Sequence, residues 1–189
     1  MNLPRDWDAV LSEHAEVMGK LSASSEVIER IIQTLIECLR GGNRIFVLGN
    51  GGSAADAQHI AGELLGRFRI DRQALPVMAL TTDTSTLTAI GNDLGFDRVF
   101  SRQVEGLVRT GDVVWILSTS GNSPNVLEAA SVANLQGARV IGFTGETGGK
   151  LAPMCELAFQ APHASSDRIQ EAHALAYHYI CERIEAALA

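Results

Sequence analysis

With 189 residues, 46% of them hydrophobic and 20% charged, the chain has the size and composition of one ordinary globular domain, which excludes a disordered or fibrous polypeptide. Fifteen Lys and Arg against 22 Asp and Glu leave a formal charge of −7, and an acidic surface repels phosphate backbones and anionic lipid headgroups, so neither nucleic acid nor a membrane is expected as a partner. The start of the chain carries Asp6 and Asp8 where a leader needs an apolar core, and the longest uncharged run, Val113 to Leu127, is broken by Ser, Gly, Asn and Pro, so no export signal or membrane span is expected. Cys38, Cys155 and Cys181 are odd in number, far apart and without a CxxC pair, as suits free thiols in a reducing cytoplasm.

Residues 7–21 read as a helix with His14, Glu16 and Lys20 on an exposed side. Ile28, Ile31, Ile32, Leu35, Ile36 and Leu39 then recur at intervals of three and four, marking one face of a second helix capped at Ser24 or Ser25 and stopped by Gly41-Gly42-Asn43. After Gly42 short apolar runs, at 45–48, 77–80, 113–117, 140–143 and 157–159, alternate with helical segments at about 53–66, 84–107 with a break near Gly95, 123–136 and 166–187. Runs that are apolar throughout describe strands covered on both faces, and the helices between them supply the crossovers of a parallel sheet. The expected fold is α/β, one domain over residues 1–189. Residues 43–189 form a three-layer sandwich around a mostly parallel five-stranded sheet, and residues 1–42 form N-terminal helices. Crossover helices already suffice to cover both sheet faces, so the apolar face of the first helices is expected to meet further copies of the chain.

Ligands in such sheets bind beyond the carboxyl ends of the strands, which directs attention to the loops starting at Gly49, Thr81, Ser118 and Thr144. Gly49-Asn50-Gly51-Gly52-Ser53 joins a strand to a helix start, where glycines permit close approach and unpaired N–H groups favour an anion. It fits GxGxxA through Gly49, Gly51 and Ala54, but no acidic residue ends the next strand at the distance a dinucleotide site requires, and no Lys follows for a Walker loop. Taken alone, the turn is equally compatible with tight packing and no ligand. Ser118-Thr119-Ser120-Gly121-Asn122-Ser123-Pro124 adds four hydroxyls around a glycine before a second helix, a density of donors that suits a phosphate monoester and exceeds what helix capping uses. Arg67, Arg69 and Arg72 lie close in sequence, each reading first as a solvated surface residue. His59 and Glu63 stand one turn apart on one helix face, able to bind a divalent metal or exchange protons, though alone the pair reads more readily as an exposed ion pair. On the last helix Gln170 and His178 are eight residues apart, about 80° around the axis, with His173 between them on a more apolar face suited to the core.

Four segments, GNGGSAADAQHIAGELLGRF, ALTTDTSTLTAIGNDLGFDRVF, STSGNSPNVLEAA and DRIQEAHALAYH, resemble the motifs of the bacterial phosphoheptose isomerases of the sugar isomerase (SIS) domain family, and the resemblance runs nearly end to end. It implies an SIS, flavodoxin-like fold, and conversion of sedoheptulose 7-phosphate to D-glycero-D-manno-heptose 7-phosphate for lipopolysaccharide or other surface glycans. It further implies a zinc ion held by His59, Glu63, Gln170 and His178, phosphate contacts from Ser53, Ser118, Thr119, Ser120 and Ser123, and sugar contacts from Asp93 and Asp167. Asn50, Gly51, Gly52, Arg67, Asn92 and Gln170 complete the implied substrate site, in a homotetramer with active sites between subunits. A non-catalytic branch of the same fold, which binds the replication initiator, is the alternative; it lacks the carboxylate and imidazole that this chain has at Glu63 and His178. Ketose–aldose interconversion moves a proton between C1 and C2 through an enediol or enediolate, and Glu63 as base with His178 as acid fits that need.

Overall fold

The structure, a computed structural model, describes residues 5–189. Five strands, β1 (Ile45–Gly49), β2 (Val77–Ala79), β3 (Val113–Leu117), β4 (Arg139–Thr144) and β5 (Leu157–Gln160), form one parallel sheet in the order β2-β1-β3-β4-β5. Every residue of β1 and β3 is buried, the outcome of strands that are apolar on both faces. Ile45, Val47, Val113, Trp115, Ile141 and Phe143 face one side, packing with helices α2 (Ser25–Arg40), α3 (Gly52–Leu65) and α7 (Ser166–Leu188). Phe46, Leu48, Val114, Ile116 and Val140 face the other, against α5 (Ser101–Leu107) and α6 (Pro124–Leu135). This is the expected three-layer α/β sandwich. Chain direction across the sheet reverses between β1 and β3, the switch point at which open parallel sheets bind ligands.

The segment expected as one interrupted helix over 84–107 is three pieces: α4 (Thr84–Asp93), a short helical turn at Phe96–Arg98, and α5. Gly95 makes the break, at φ 91°, a left-handed backbone that no other residue type adopts cheaply.

The N-terminal helices depart from expectation in how they use their apolar face. Ile28, Ile31, Ile32, Leu35 and Ile36 of α2 are buried within the chain's own core, where α2 packs on α7 and β5. That face is therefore consumed in the protomer and does not itself call for a second copy. Helix α1 (Trp7–Lys20), capped by the Asp6 side chain on the Ala9 N–H at 2.7 Å, buries only Val17 and lies on α7 through polar links. The Arg168 guanidinium donates to the Val10 carbonyl at 2.9 Å, and His14 Nδ1 lies 2.7 Å from Glu171 Oε2. All three cysteines are free, Cys38 and Cys181 buried and Cys155 half-buried, and burial pushes the Cys38 thiol up to about 11 and the other two to about 12.

Candidate active site

Strands β1 and β3 are neighbours in register, Gly49 beside Leu117, so the loops that follow them leave the sheet side by side. A Cβ at Gly49 would stand 2.7 Å from the Leu117 carbonyl oxygen and 2.8 Å from that of Ser53, which explains a glycine where the loop turns back over the strand ends. Gly51, at φ 56°, completes the turn, and its carbonyl accepts from Ala54 and Ala55 N–H at 3.0 and 3.2 Å. The N–H groups of Gly52 and Ser53 remain at the positive end of α3.

The second loop is tied to the first by a reciprocal amide pair: Asn50 Nδ2 donates to Asn125 Oδ1, and Asn125 Nδ2 to Asn50 Oδ1, both at 2.9 Å. Asn50 is thus placed as a structural clasp between the loops. Ser123 precedes α6 but makes no capping bond with its side chain, so its hydroxyl is not consumed by the helix. Ser53 and Ser118 are buried, Thr119 Oγ1 lies 3.2 Å from Ser166 Oγ at the start of α7, and Ser120 Oγ accepts the Asn122 N–H at 3.2 Å. Asp167, in the first turn of α7, bonds to Ser165 Oγ and to Arg5 Nη2, the latter at 2.8 Å, and these partners hold its carboxyl well below the usual range.

The second part of the site lies where α3 and α7 pack together. His59, Glu63 and His178 bring one ligand atom each within 4.8 Å of one another. His59 Nε2 lies 3.0 Å from Glu63 Oε1 and 3.4 Å from His178 Nε2. Ligands held tetrahedrally at the ~2.0–2.1 Å of zinc–nitrogen and zinc–oxygen bonds stand about 3.3 Å apart, so the residues present fit a small divalent cation. The Phe68 ring stacks on His178, with centroids 6.0 Å apart and planes at 22°.

Gln170 makes no hydrogen bond to these three among the described residues. Its amide rests against the start of α3, where a Cβ on Gly52 would stand 2.5 Å from Gln170 Nε2. One protomer therefore gathers three of the four implied ligands and sets the fourth beside the glycine loop. Arg67 is exposed, and Asn92 and Asp93, exposed at the end of α4, bond to each other at 2.7 Å; no hydrogen bond links these residues to the three among the described residues. His173 is fully buried beside Phe143 and Phe159, its Nε2 3.1 Å from the Thr144 carbonyl oxygen, and burial pushes its pKa down to about 4.

Arg72 corrects its reading as a solvated residue. Its side chain is 1% exposed, with Nε 3.3 Å from Oε1 of the equally buried Glu185. Glu185 also accepts the N–H groups of Phe68, Arg69 and Ile70 at 2.9, 2.6 and 3.0 Å, while Arg72 Nη2 donates to the Glu63 carbonyl at 2.9 Å. Burial works to raise the Glu185 carboxyl, but these three donors and Arg72 hold it below the usual value. The pair fixes the loop that carries Phe68 onto His178. Sequence reasoning also passed over Asp56 and Tyr177. Asp56 stands three residues before His59 on the same helix face and Tyr177 immediately precedes His178; the first spacing was legible, the second contact was not.

Residues 11–145 match the SIS domain family. The chain is 49% identical over 181 residues to the phosphoheptose isomerase of Geobacter sp. (strain M21), covering 95% of this chain and 94% of that protein. It is 52% identical over 176 residues to the phosphoheptose isomerase of Bradyrhizobium sp. (strain ORS 278), covering 93% and 87%. The structure of the Neisseria gonorrhoeae phosphoheptose isomerase superposes with a TM-score of 0.90 at 43% identity, covering 95% of this chain and 96% of that one. Glycine loop, hydroxyl loop and the His59–Glu63–His178 group thus sit on a scaffold shared along nearly its whole length with these proteins, and the chain belongs to the SIS domain family and, within it, to the phosphoheptose isomerases.

Proposed function

We propose that this chain interconverts sedoheptulose 7-phosphate and D-glycero-D-manno-heptose 7-phosphate through an enediol or enediolate, supplying heptose for lipopolysaccharide or another surface glycan. The observation that carries the reading is the joint presence of Glu63, on the helix that begins in the glycine loop, and His178, on α7, in one cluster. That pairing is what the initiator-binding branch lacks. Gly52 and His59 are seven residues apart on α3, about 10 Å along the helix axis. A seven-carbon phosphate separates C2 from phosphorus by seven bonds, roughly 9 Å when extended, from bonds of ~1.5 Å. A phosphate seated at the loops thus leaves C1 and C2 near the level of the cluster.

In this reading, Ser53, Ser118, Thr119, Ser120 and Ser123 with the open N–H groups of α3 hold the phosphate. Neutral donors bind it firmly enough to orient the sugar and still release product. Glu63 Oε1 faces His59 Nε2 at 3.0 Å, on the side where a cation would be held, which leaves Oε2 to take the carbon-bound proton. His178 delivers and recovers the proton at the adjacent oxygen. His59, Glu63 and His178 would hold a divalent cation, and their mixed nitrogen and oxygen set suits zinc, which would supply Lewis-acid stabilisation of the developing oxyanion. Gln170 and Asp167, beside the loops, serve the sugar.

A homotetramer is proposed on different grounds from the α2 face. Strand β2 is a sheet edge, and Leu65, Met78, Leu94 and Phe96, on or near the elements flanking it in the chain, are each more than half exposed. Arg67, Asn92 and Asp93 lie on those same segments and reach substrate in a neighbouring copy. A micromolar monomer in light scattering would overturn this. No helix among the described residues is long and apolar enough to cross a membrane, and three free thiols support a cytoplasmic location. Incubation with sedoheptulose 7-phosphate, with and without added zinc, is expected to yield an aldose heptose phosphate by NMR; no conversion under either condition overturns the reading.

A further inference from the structure

His59 has two ring nitrogens, and the second is not free. Nε2 faces Glu63 and His178, whereas Nδ1 lies 3.2 Å from the hydroxyl of Tyr177. That hydroxyl lies 3.4 Å from Asp56 Oδ1, and Tyr177 is 2% exposed. Asp56 Oδ2 is buried without a hydrogen-bond partner among the described residues. An aspartate half-buried beneath a helical histidine, and joined to it only through a tyrosine, has no evident use in packing.

A phenol hydroxyl carries one proton and accepts others, so this chain of three groups has two consistent arrangements. In the first, Tyr177 donates to Nδ1, the ring proton sits on Nε2, and Nε2–H donates to Glu63. In the second, Tyr177 donates to Asp56, Nδ1–H donates to the Tyr177 oxygen, and Nε2 turns a bare lone pair toward Glu63 and His178. Only the second can receive a cation, and it is available because Asp56 gives the tyrosine proton an acceptor.

We propose that Tyr177 and Asp56 are positioning residues that set the tautomer of His59 and make its Nε2 ready to bind a divalent cation. The inference rests on the reading of His59, Glu63 and His178 as a metal site. Neither residue touches substrate; both act through His59, as outer groups do when they orient a metal-binding imidazole.

Zinc affinity, measured by competition with a chromophoric chelator, tests this without recourse to turnover. Tyr177→Phe keeps the ring that packs on His59 and His178, at centroid distances of 5.5 and 4.6 Å, and removes only the hydroxyl. It should weaken zinc binding about 10- to 100-fold while circular dichroism and thermal unfolding stay close to the parent. Asp56→Ala should lose a similar factor, Asp56→Asn should regain most of it because an amide oxygen still accepts, and the double variant Tyr177→Phe/Asp56→Ala should be no weaker than either single one. Nitrogen-15 NMR of the histidine side chains should show His59 protonated at Nδ1 in the zinc-loaded parent, with a shift that changes in Tyr177→Phe. Parent-like zinc affinity in folded Tyr177→Phe, together with loss of binding in His59→Ala, would overturn the relay alone. Equal binding by the parent and His59→Ala would overturn the metal site and the relay with it.

Discussion

At the proposed phosphate end of the site, the groups on offer come from the backbone and short side chains of two loops that leave adjacent strand ends; at the other end, three side chains meet from helices whose histidines are 119 residues apart in the chain. The loops are shaped locally, by Gly49 and Gly51 and by the register of two parallel strands. The His59–Glu63–His178 cluster is shaped by packing: α3 against α7, the Asp56–Tyr177 pair behind His59, and the Glu185–Arg72 pair under the loop that carries Phe68 onto His178. Binding is thus assigned to the locally built part and proton transfer to the part that depends on the tertiary fold, and substitutions in each should fail in opposite ways.

The largest effect is expected at Glu63. Glu63→Gln keeps size and a ligand oxygen but loses basicity, so kcat should fall by about 10²–10⁴ and solvent deuterium should stop entering the substrate carbon, while sugar-phosphate affinity is retained. Zinc content must match the parent, since lost metal would imitate a lost base. Rapid exchange in the metal-loaded variant would transfer the role of base to His178 and dissolve the division of labour.

At the loops the expected failure is reversed. Ser123→Ala removes a hydroxyl that caps nothing, so stability should hold while affinity for the sugar phosphate falls by about 1.5–3 kcal/mol, the usual worth of a hydrogen bond to a charged group. At saturating substrate, deuterium exchange should persist. Unchanged Kd in calorimetry would place the phosphate elsewhere.

The same contrast explains what could be read from the chain before its fold. Continuous apolar runs such as 113–117 identify buried parallel strands because they are short, rich in β-branched and aromatic residues and bounded by turn residues, and the loops follow because glycine and hydroxyl clusters at strand ends are contiguous in sequence. His59 and Glu63 were legible as a pair since helical spacing alone sets them on one face. Tyr177 over His59 was not, because the rotation and depth of α7 against α3 depend on the whole interface. Arg72 was misread for a related reason: a charged side chain is solvated by default, and its burial is decided by Glu185, 113 positions later. The α2 face was misassigned because its periodicity shows that it is buried but not by what.

Helix α7 joins the two ends, and His173 pins its middle to β4 through the Thr144 carbonyl. Burial lowers the folded-state pKa of His173 from 6.5 to about 4, so below pH 6.5 the unfolded chain binds a proton that the folded chain refuses. Its contribution to stability is complete above that pH and is lost on acidification toward 4. Between pH 7 and pH 5 this amounts to about 2 kcal/mol, measurable by urea unfolding. His173→Gln retains a donor for Thr144 without the titration and should flatten that part of the curve. Equal slopes in the two proteins would remove His173 as the cause.

The smallest effect expected is at Gly52, where the glycine loop and α7 touch. An added Cβ would meet the carboxamide of Gln170, at 2.5 Å from Nε2 and 2.9 Å from Oε1, and that carboxamide is the movable end of a flexible side chain. Gly52→Ala should therefore displace Gln170 without forcing the backbone, and the better helix propensity of alanine offsets part of any strain, leaving stability within about 1 kcal/mol of the parent. If Gln170 serves the sugar from beside the loops, affinity for the sugar phosphate should drop several-fold while zinc affinity stays constant, because the amide is moved at the phosphate end only. If zinc affinity falls instead, Gln170 reaches the metal, and the boundary between a binding end and a proton-transfer end would have to be redrawn to include it in both.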